Sequence, residues 1–294
     1  MKDVIENQDE HFCFKTNSLR TLSLADVRKI HRRLVADFAN TKDPIEPPGE
    51  RAGGMLQSAV ARQWAGTNGL LLYPQPVQNA AALCYGLCKN HPFANGNKRT
   101  ALVATLVHLD RNDYMIKQGV SHKDVYDFIV SLADSDLHRM VSPTVITDLR
   151  GKDPRSYEVQ LACCIKWLTI NSRRIQRGER QVNMRELKKI LSKFGYELRD
   201  PYKNYADIIK IEEVVEWKWL SMIKKTRRVE KKVSQIACSG MNQTVEINTI
   251  KRVRKQCGLR DVDGVDSEVF YGGLDRADFF LNQYRNILRR LGRT

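Results

Sequence analysis

Residues 91–100 read His91-Pro92-Phe93-Ala94-Asn95-Gly96-Asn97-Lys98-Arg99-Thr100: a base, an aromatic residue, two amides around a glycine, then two cations. Each type suits attack on a phosphoanhydride. An imidazole takes up a proton near neutral pH, so His91 is the candidate general base. Gly96 has no Cβ and lets the backbone approach a ligand closely. Asn97 can donate to a phosphate oxygen, Lys98 adds a point charge and Arg99 can grip two oxygens in a fork. Pro92 stiffens the entry, and Phe93 is expected to anchor the loop in the core. A base beside an anion cradle is what transfer from a nucleotide requires.

Position strengthens this reading. Residues 90–95 form a loop, and the apolar run Asn97–Arg111 predicts a central helix. The first backbone N–H groups of a helix have no intrahelical acceptor and favour an anion. Plainer readings exist for each part: a lone histidine is usually structural, and a Lys-Arg pair is usually solvated. Cations at a helix start oppose its dipole, however, and a bound anion would offset that cost. The ordered set is much rarer than its parts.

The other elements of the first half are also helical. Ser23 caps an amphipathic run, Leu24–Phe38, and Asp43-Pro44 and Pro47-Pro48-Gly49 break the chain after it. Helices are expected at 53–64, Pro76–Lys89 (Pro76 in its first turn) and 121–134, where Ser121 and Asp124 make a near capping box. Residues 67–75 suggest a short hairpin.

The segment 91–99 resembles the H-P-F-x-[DE]-G-N-[GK]-R signature of the Fic/Doc family. The continuation Asn97-Lys98-Arg99-Thr100-Ala101-Leu102 is similar to the death-on-curing branch, with lysine where classical Fic enzymes have glycine. The resemblance covers about residues 20–140, including 51–61 and a hairpin flap at 66–76. It implies a mainly α helical bundle with a small β-hairpin flap. It also implies His91 as general base, and a nucleotide cradle of Gly96, Asn97, Lys98 and Arg99. Classical Fic enzymes transfer AMP from ATP; the Doc branch transfers a phosphate to a translation factor, and Lys98 favours the second. The family's acidic Mg²⁺ ligand is replaced by Asn95. A neutral amide holds the ion less tightly, so Mg²⁺ is expected to bind weakly or through the nucleotide. No [ST]-x-x-x-E-[GN] inhibitory helix is found, so restraint is expected from a separate antitoxin or from the C-terminal half.

The chain has 294 residues, 42% of them hydrophobic, and a net charge of +15. Residues 1–150 carry 18 Lys/Arg and 16 Asp/Glu, and residues 151–294 carry 31 and 18. That contrast, with the linker-like sequence at 149–155, predicts a Fic/Doc domain over 1–150 and a basic α+β domain over 151–294. The absence of a long apolar run excludes a membrane helix. The polar segment 1–17 lacks a signal-peptide core, which points to the cytoplasm. Seven cysteines without a C-x-x-C pair argue against a disulfide scaffold. Cys84 and Cys88 share a helix face, where two thiolates suit a metal or an oxidant and two thiols suit an apolar core.

In the second half, helices are expected at 184–194 and 248–257. Strands are expected at Tyr196–Leu198, 206–211, 214–219 and 229–238, followed by a last helix at 275–291. The order loosely resembles a HicA-like, double-stranded-RNA-binding-like fold, but no histidine follows His138 to serve RNA cleavage. Lys251, Arg252, Arg254 and Lys255 are candidate contacts to RNA or DNA. The reading is therefore an ATP- or NTP-dependent transferase acting on a protein substrate. A nucleotidyl transferase is the alternative within enzymes. A catalytically dead nucleic-acid-binding regulator is the alternative outside them.

Overall fold

The computed structural model describes residues 19–51, 53–141, 149, 151–176, 180–217, 224–265, 267–272 and 276–293. Expectations for residues 1–17, Cys13 and Trp219 lie outside these. The chain divides into two compact units, residues 1–174 with 276–294, and residues 175–275.

The first unit is helical: α1 (Leu24–Phe38), α2 (Met55–Ala61), α3 (Pro76–Lys89), α4 (Asn97–Arg111), α5 (His122–Ala133) and α6 (Tyr157–Asn171), closed by α10 (Arg276–Gln283) and α11 (Arg285–Arg290). Ser23 with Asp26 and Ser121 with Asp124 form full capping boxes on α1 and α5. Each box satisfies backbone donors that a helix start leaves open. Pro76 takes the first turn of α3. Helix α4 is buried nearly all round and packs against α1, α3, α5 and α10. Two small sheets complete the unit. One is the hairpin β1 (Gly66–Thr67) with β2 (Leu70–Leu71), turned by Asn68 and Gly69 at positive φ. The other pairs β3 (Tyr114–Ile116) with β4 (Ser172–Arg174).

This corrects the expected boundary near residue 150. Helix α6 buries Val159, Leu161, Cys163, Cys164, Trp167 and Leu168 in the same core as α3 and α4, and α10–α11 add Phe279, Tyr284, Leu288 and Leu291. The Gly- and Pro-bearing segment at 151–155 turns the chain into the Ser156 cap of α6. The last helix breaks in two at Tyr284 and belongs to the first unit. Charge divides accordingly: residues 175–275 hold 21 Lys/Arg and 15 Asp/Glu, a net of +6, so the basic excess is not confined to the second unit.

The second unit contains β5 (Val182–Asn183), α7 (Met184–Lys193), β6 (Tyr196–Leu198), β7 (Tyr205–Trp217), β8 (Lys224–Ala237), β9 (Thr244–Val245), α8 (Ile247–Gln256) and α9 (Ser267–Tyr271). Strands β6, β7 and β8 form one antiparallel sheet, and β5 pairs β9. The two expected β-rich runs are one long strand, β7, with a register shift at Ile208/Ile209. Leu187, Ile190 and Leu191 of α7 and Ile250 and Val253 of α8 share a core with Leu198, Ile208 and Ile236 of the sheet.

Candidate active site

The loop 90–96 is held from three sides. The segment 49–51 runs beside it, with Arg51 N–H donating to Pro92 O (2.8 Å) and Ala94 N–H to Gly49 O (2.9 Å). Arg28 of α1 steadies this segment through a forked ion pair with Glu50 at 2.5 and 3.2 Å. From the α4 side, Asn97 Oδ1 accepts from Phe93 N and its Nδ2 donates to Phe93 O, both at 2.8 Å. Phe93 is 1% exposed and stacks on His31, with ring centroids 3.8 Å apart. Its burial and this stack place the ring between the loop and α1.

His91 lies exposed at the open side of the loop, with φ +47°. Partial burial, then the charges of Arg51, Lys89 and Lys98, lower its pKa from the ordinary histidine value. The imidazole is therefore neutral at pH 7, the form a general base needs. Lys98 is half-buried at the start of α4. Gly96 has φ +78°, and a Cβ there would press on Ile45 at 3.0 Å. Both facts call for glycine.

Three residues sit differently from their sequence expectation. Asn97 spends its side chain on the Phe93 backbone, closing the loop rather than pointing to a ligand. Asn95 Oδ1 accepts from Gly96 N–H (2.6 Å) and its Nδ2 donates to Glu46 O (2.8 Å). Among the described residues no group of three or more His, Cys, Asp and Glu is placed to hold a metal. Arg99 is 2% exposed. Its guanidinium lies over Phe38 (4.6 Å) and donates to Asp43 O (2.9 Å). The last turn covers it so closely that a Cβ on Gly292 would fall 1.4 Å from its Nη2. Arg293 secures that turn by pairing with Asp43 at 2.9 and 3.0 Å. Arg99 is thus packed beneath the last turn, with its Nε buried and without a hydrogen-bond partner among the described residues.

Residues that sequence reading passed over surround the loop. Arg51, exposed and one of the charges acting on His91, is a cation on the loop's open side. Only its place after the Pro-Pro-Gly break hinted at it. Arg62 reaches Asn90 Oδ1 (3.4 Å) and lies over the rings of Tyr85 and Tyr157. The hairpin that follows Arg62 exposes Leu70 and Leu72. Its base is clasped by Asn79, whose Nδ2 donates to Gln63 O (2.7 Å) and Tyr73 O (3.1 Å), while Oδ1 meets His108 Nε2 at 2.9 Å.

In the second unit, Lys251, Arg252 and Lys255 are exposed on α8, as a polyanion contact requires. Arg254 is not. It is 8% exposed and donates to Leu259 O, Asp261 and Val265 O over the face of Phe270. Helical period turns this one position of the basic run inward. Six cysteines, Cys84 and Cys88 among them, are buried free thiols, as the apolar-core reading has it.

Residues 21–109 match the Fic/DOC family. A curated relative, the toxin Doc of Mycolicibacterium smegmatis (strain ATCC 700084 / mc(2)155), is 44% identical over 83 residues. The match covers 28% of this chain and 64% of the relative, so the chain spans less than two thirds of that protein's length. No solved structure matches. No helix among the described residues is long and apolar enough to cross a membrane.

Proposed function

We propose, from the match of residues 21–109 to the Fic/DOC family, that this protein transfers the terminal phosphate of ATP or another nucleoside triphosphate to the hydroxyl of a protein, a component of translation. The reading takes it for a Doc-like toxin or defence effector of the cytosol, restrained by a separate antitoxin. The observation that carries it is the loop itself. A neutral, exposed His91 stands ahead of the N-terminus of α4, with Lys98 in the position where classical Fic enzymes have glycine.

The chemistry balances with these groups. The unprotonated ring nitrogen of His91 takes the hydroxyl proton. The oxygen forms its bond to the γ-phosphorus as the bond to the bridging oxygen breaks, and the nucleoside diphosphate leaves with that electron pair. The helix start, Lys98 and Arg51 offset the negative charge of the phosphates. Phe93, Asn97 and Arg99 hold the loop and helix in place. A divalent ion would shield the same charge, held chiefly by the nucleotide, since the Asn95 side chain is engaged by Gly96 N–H and Glu46 O. Incubating the protein with γ-labelled ATP in a cell extract tests this. Wild type should label a protein and His91→Ala should not; equal labelling by the variant removes His91 from the role of base.

A second reading concerns α8, whose exposed Lys251, Arg252 and Lys255 suit RNA or DNA phosphates. Filter binding by the full chain, with and without glutamine at these three positions, tests it. Unchanged binding would dismiss this face.

A further inference from the structure

The cradle proposed above depends on which way one peptide faces. Thr100 N–H and Thr100 Oγ1 both donate to Gly96 O, each at 2.9 Å. A trans peptide is planar, with its N–H opposed to its C=O. Drawing the Gly96 carbonyl into the helix therefore aims the Asn97 N–H out of the helix start. Glycine at φ +78° is the residue least able to hold such a peptide by its own sterics. The hold has to come from its partners.

His31 determines how the Thr100 hydroxyl points. His31 Nδ1 lies 3.0 Å from Thr100 Oγ1. The hydroxyl has one hydrogen, already given to Gly96 O, so Oγ1 accepts and Nδ1 carries the proton. The ring is 3% exposed and fixed by its stack on Phe93. Its Nε2 is buried with no hydrogen-bond partner among the described residues. An apolar ring would fill the same space without stranding a nitrogen, so packing alone does not account for histidine. Burial, opposed by the charge of Glu50, brings its pKa down to about 4 and keeps the ring neutral.

We infer that His31 is a positioning residue: its Nδ1–H fixes the Thr100 hydroxyl on Gly96 O and so keeps the Asn97 N–H turned toward the anion. The inference rests on the phosphate-cradle reading for its use, but the orientation itself can be read without nucleotide. Three variants of the full chain separate the contributions. His31→Phe keeps the stack and removes the donor. His31→Asn removes the ring and supplies an amide N–H near the place of Nδ1. Thr100→Val removes the hydroxyl. The readouts are the Asn97 amide resonance in the nucleotide-free protein and ATP affinity by calorimetry.

His31→Phe and Thr100→Val should both shift the Asn97 resonance while the amides of the α4 interior stay in place. Both should weaken ATP binding about ten-fold, the loss of one hydrogen bond to a charged group. The double variant should be no worse than either single one, and His31→Asn should recover most of the affinity. A wild-type Asn97 resonance in His31→Phe, or additive losses in the double variant, would overturn the inference. If wild type itself fails to bind ATP, the transferase reading falls, and the Asn97 resonance still decides the role of His31.

Discussion

Two buried histidines should make the first unit lose stability well above the pH at which its carboxylates titrate. His108 is held to about 3 by burial and the nearby charge of Arg111, and His31 to about 4 by burial against the pull of Glu50. Unfolded, each returns to about 6.5. Between these limits the unfolded chain binds protons that the native chain does not, so stability rises with pH and falls as pH is lowered. Integrating from pH 7 to pH 5, each histidine accounts for about 2 kcal/mol and the pair for about 4 kcal/mol. Asp26 starts to contribute only lower down: burial there is outweighed by hydrogen bonds from Arg111 and Ser23, which hold its pKa below 3.8. Hydrogen exchange of the α3 and α4 amides, corrected for intrinsic rates, measures the opening free energy of this unit directly. His108→Gln supplies the test within the test. Its amide N–H can still reach Asn79 Oδ1, yet nothing titrates, so about half of the loss should vanish. An opening free energy that does not change between pH 7 and pH 5, or a His108→Gln slope equal to wild type, would refute the reasoning.

Two further outcomes follow from the packing of the first unit. Arg276 and Asp110 form a buried ion pair (Nε to Oδ2 3.2 Å) with the guanidinium over Phe279, so Asp110→Asn removes a hydrogen bond between charged groups; it should cost about 1.5–3 kcal/mol in urea unfolding. A chain ending at residue 149 lacks α6, α10 and α11 and so uncovers apolar surface of α3, α4 and α5, against which they pack; it should bind a hydrophobic dye and show no cooperative thermal transition.

The helices that carry local signals were legible in the sequence. Ser23, Ser121 and Pro76 marked the starts of α1, α5 and α3, and the observed spans agree to within a residue or two. Helix α6 was not, because it is apolar on nearly every side and has no stripe to betray its period. The boundary was misplaced for a related reason. Gly151 and Pro154 mark a turn equally well between two helices of one core and between two domains, and only the long-range contacts of α6 and α10 tell these apart. At the site, the motif gave the loop and its candidate base, and it marked the aromatic residue that the fold buries beneath the loop. It did not tell which polar side chains face outward. Asn97 and Arg99 have suitable chemistry for a phosphate, yet one closes the loop on Phe93 and the other lies beneath Gly292. Arg51 and His31 come from segments distant in sequence, and only the fold brings them to the loop.

Phosphate transfer and nucleotidyl transfer part ways in the fate of the two ends of ATP. The protein is incubated in a cell extract with ATP labelled at the α-phosphate or, in a parallel sample, at the γ-phosphate. Phosphate transfer gives a protein labelled from γ alone, with no label when His91 is alanine. Label from α would mean nucleotidyl transfer at the same loop. No label from either, with the first unit folded, would contradict a transferase and leave a chain that binds without catalysis.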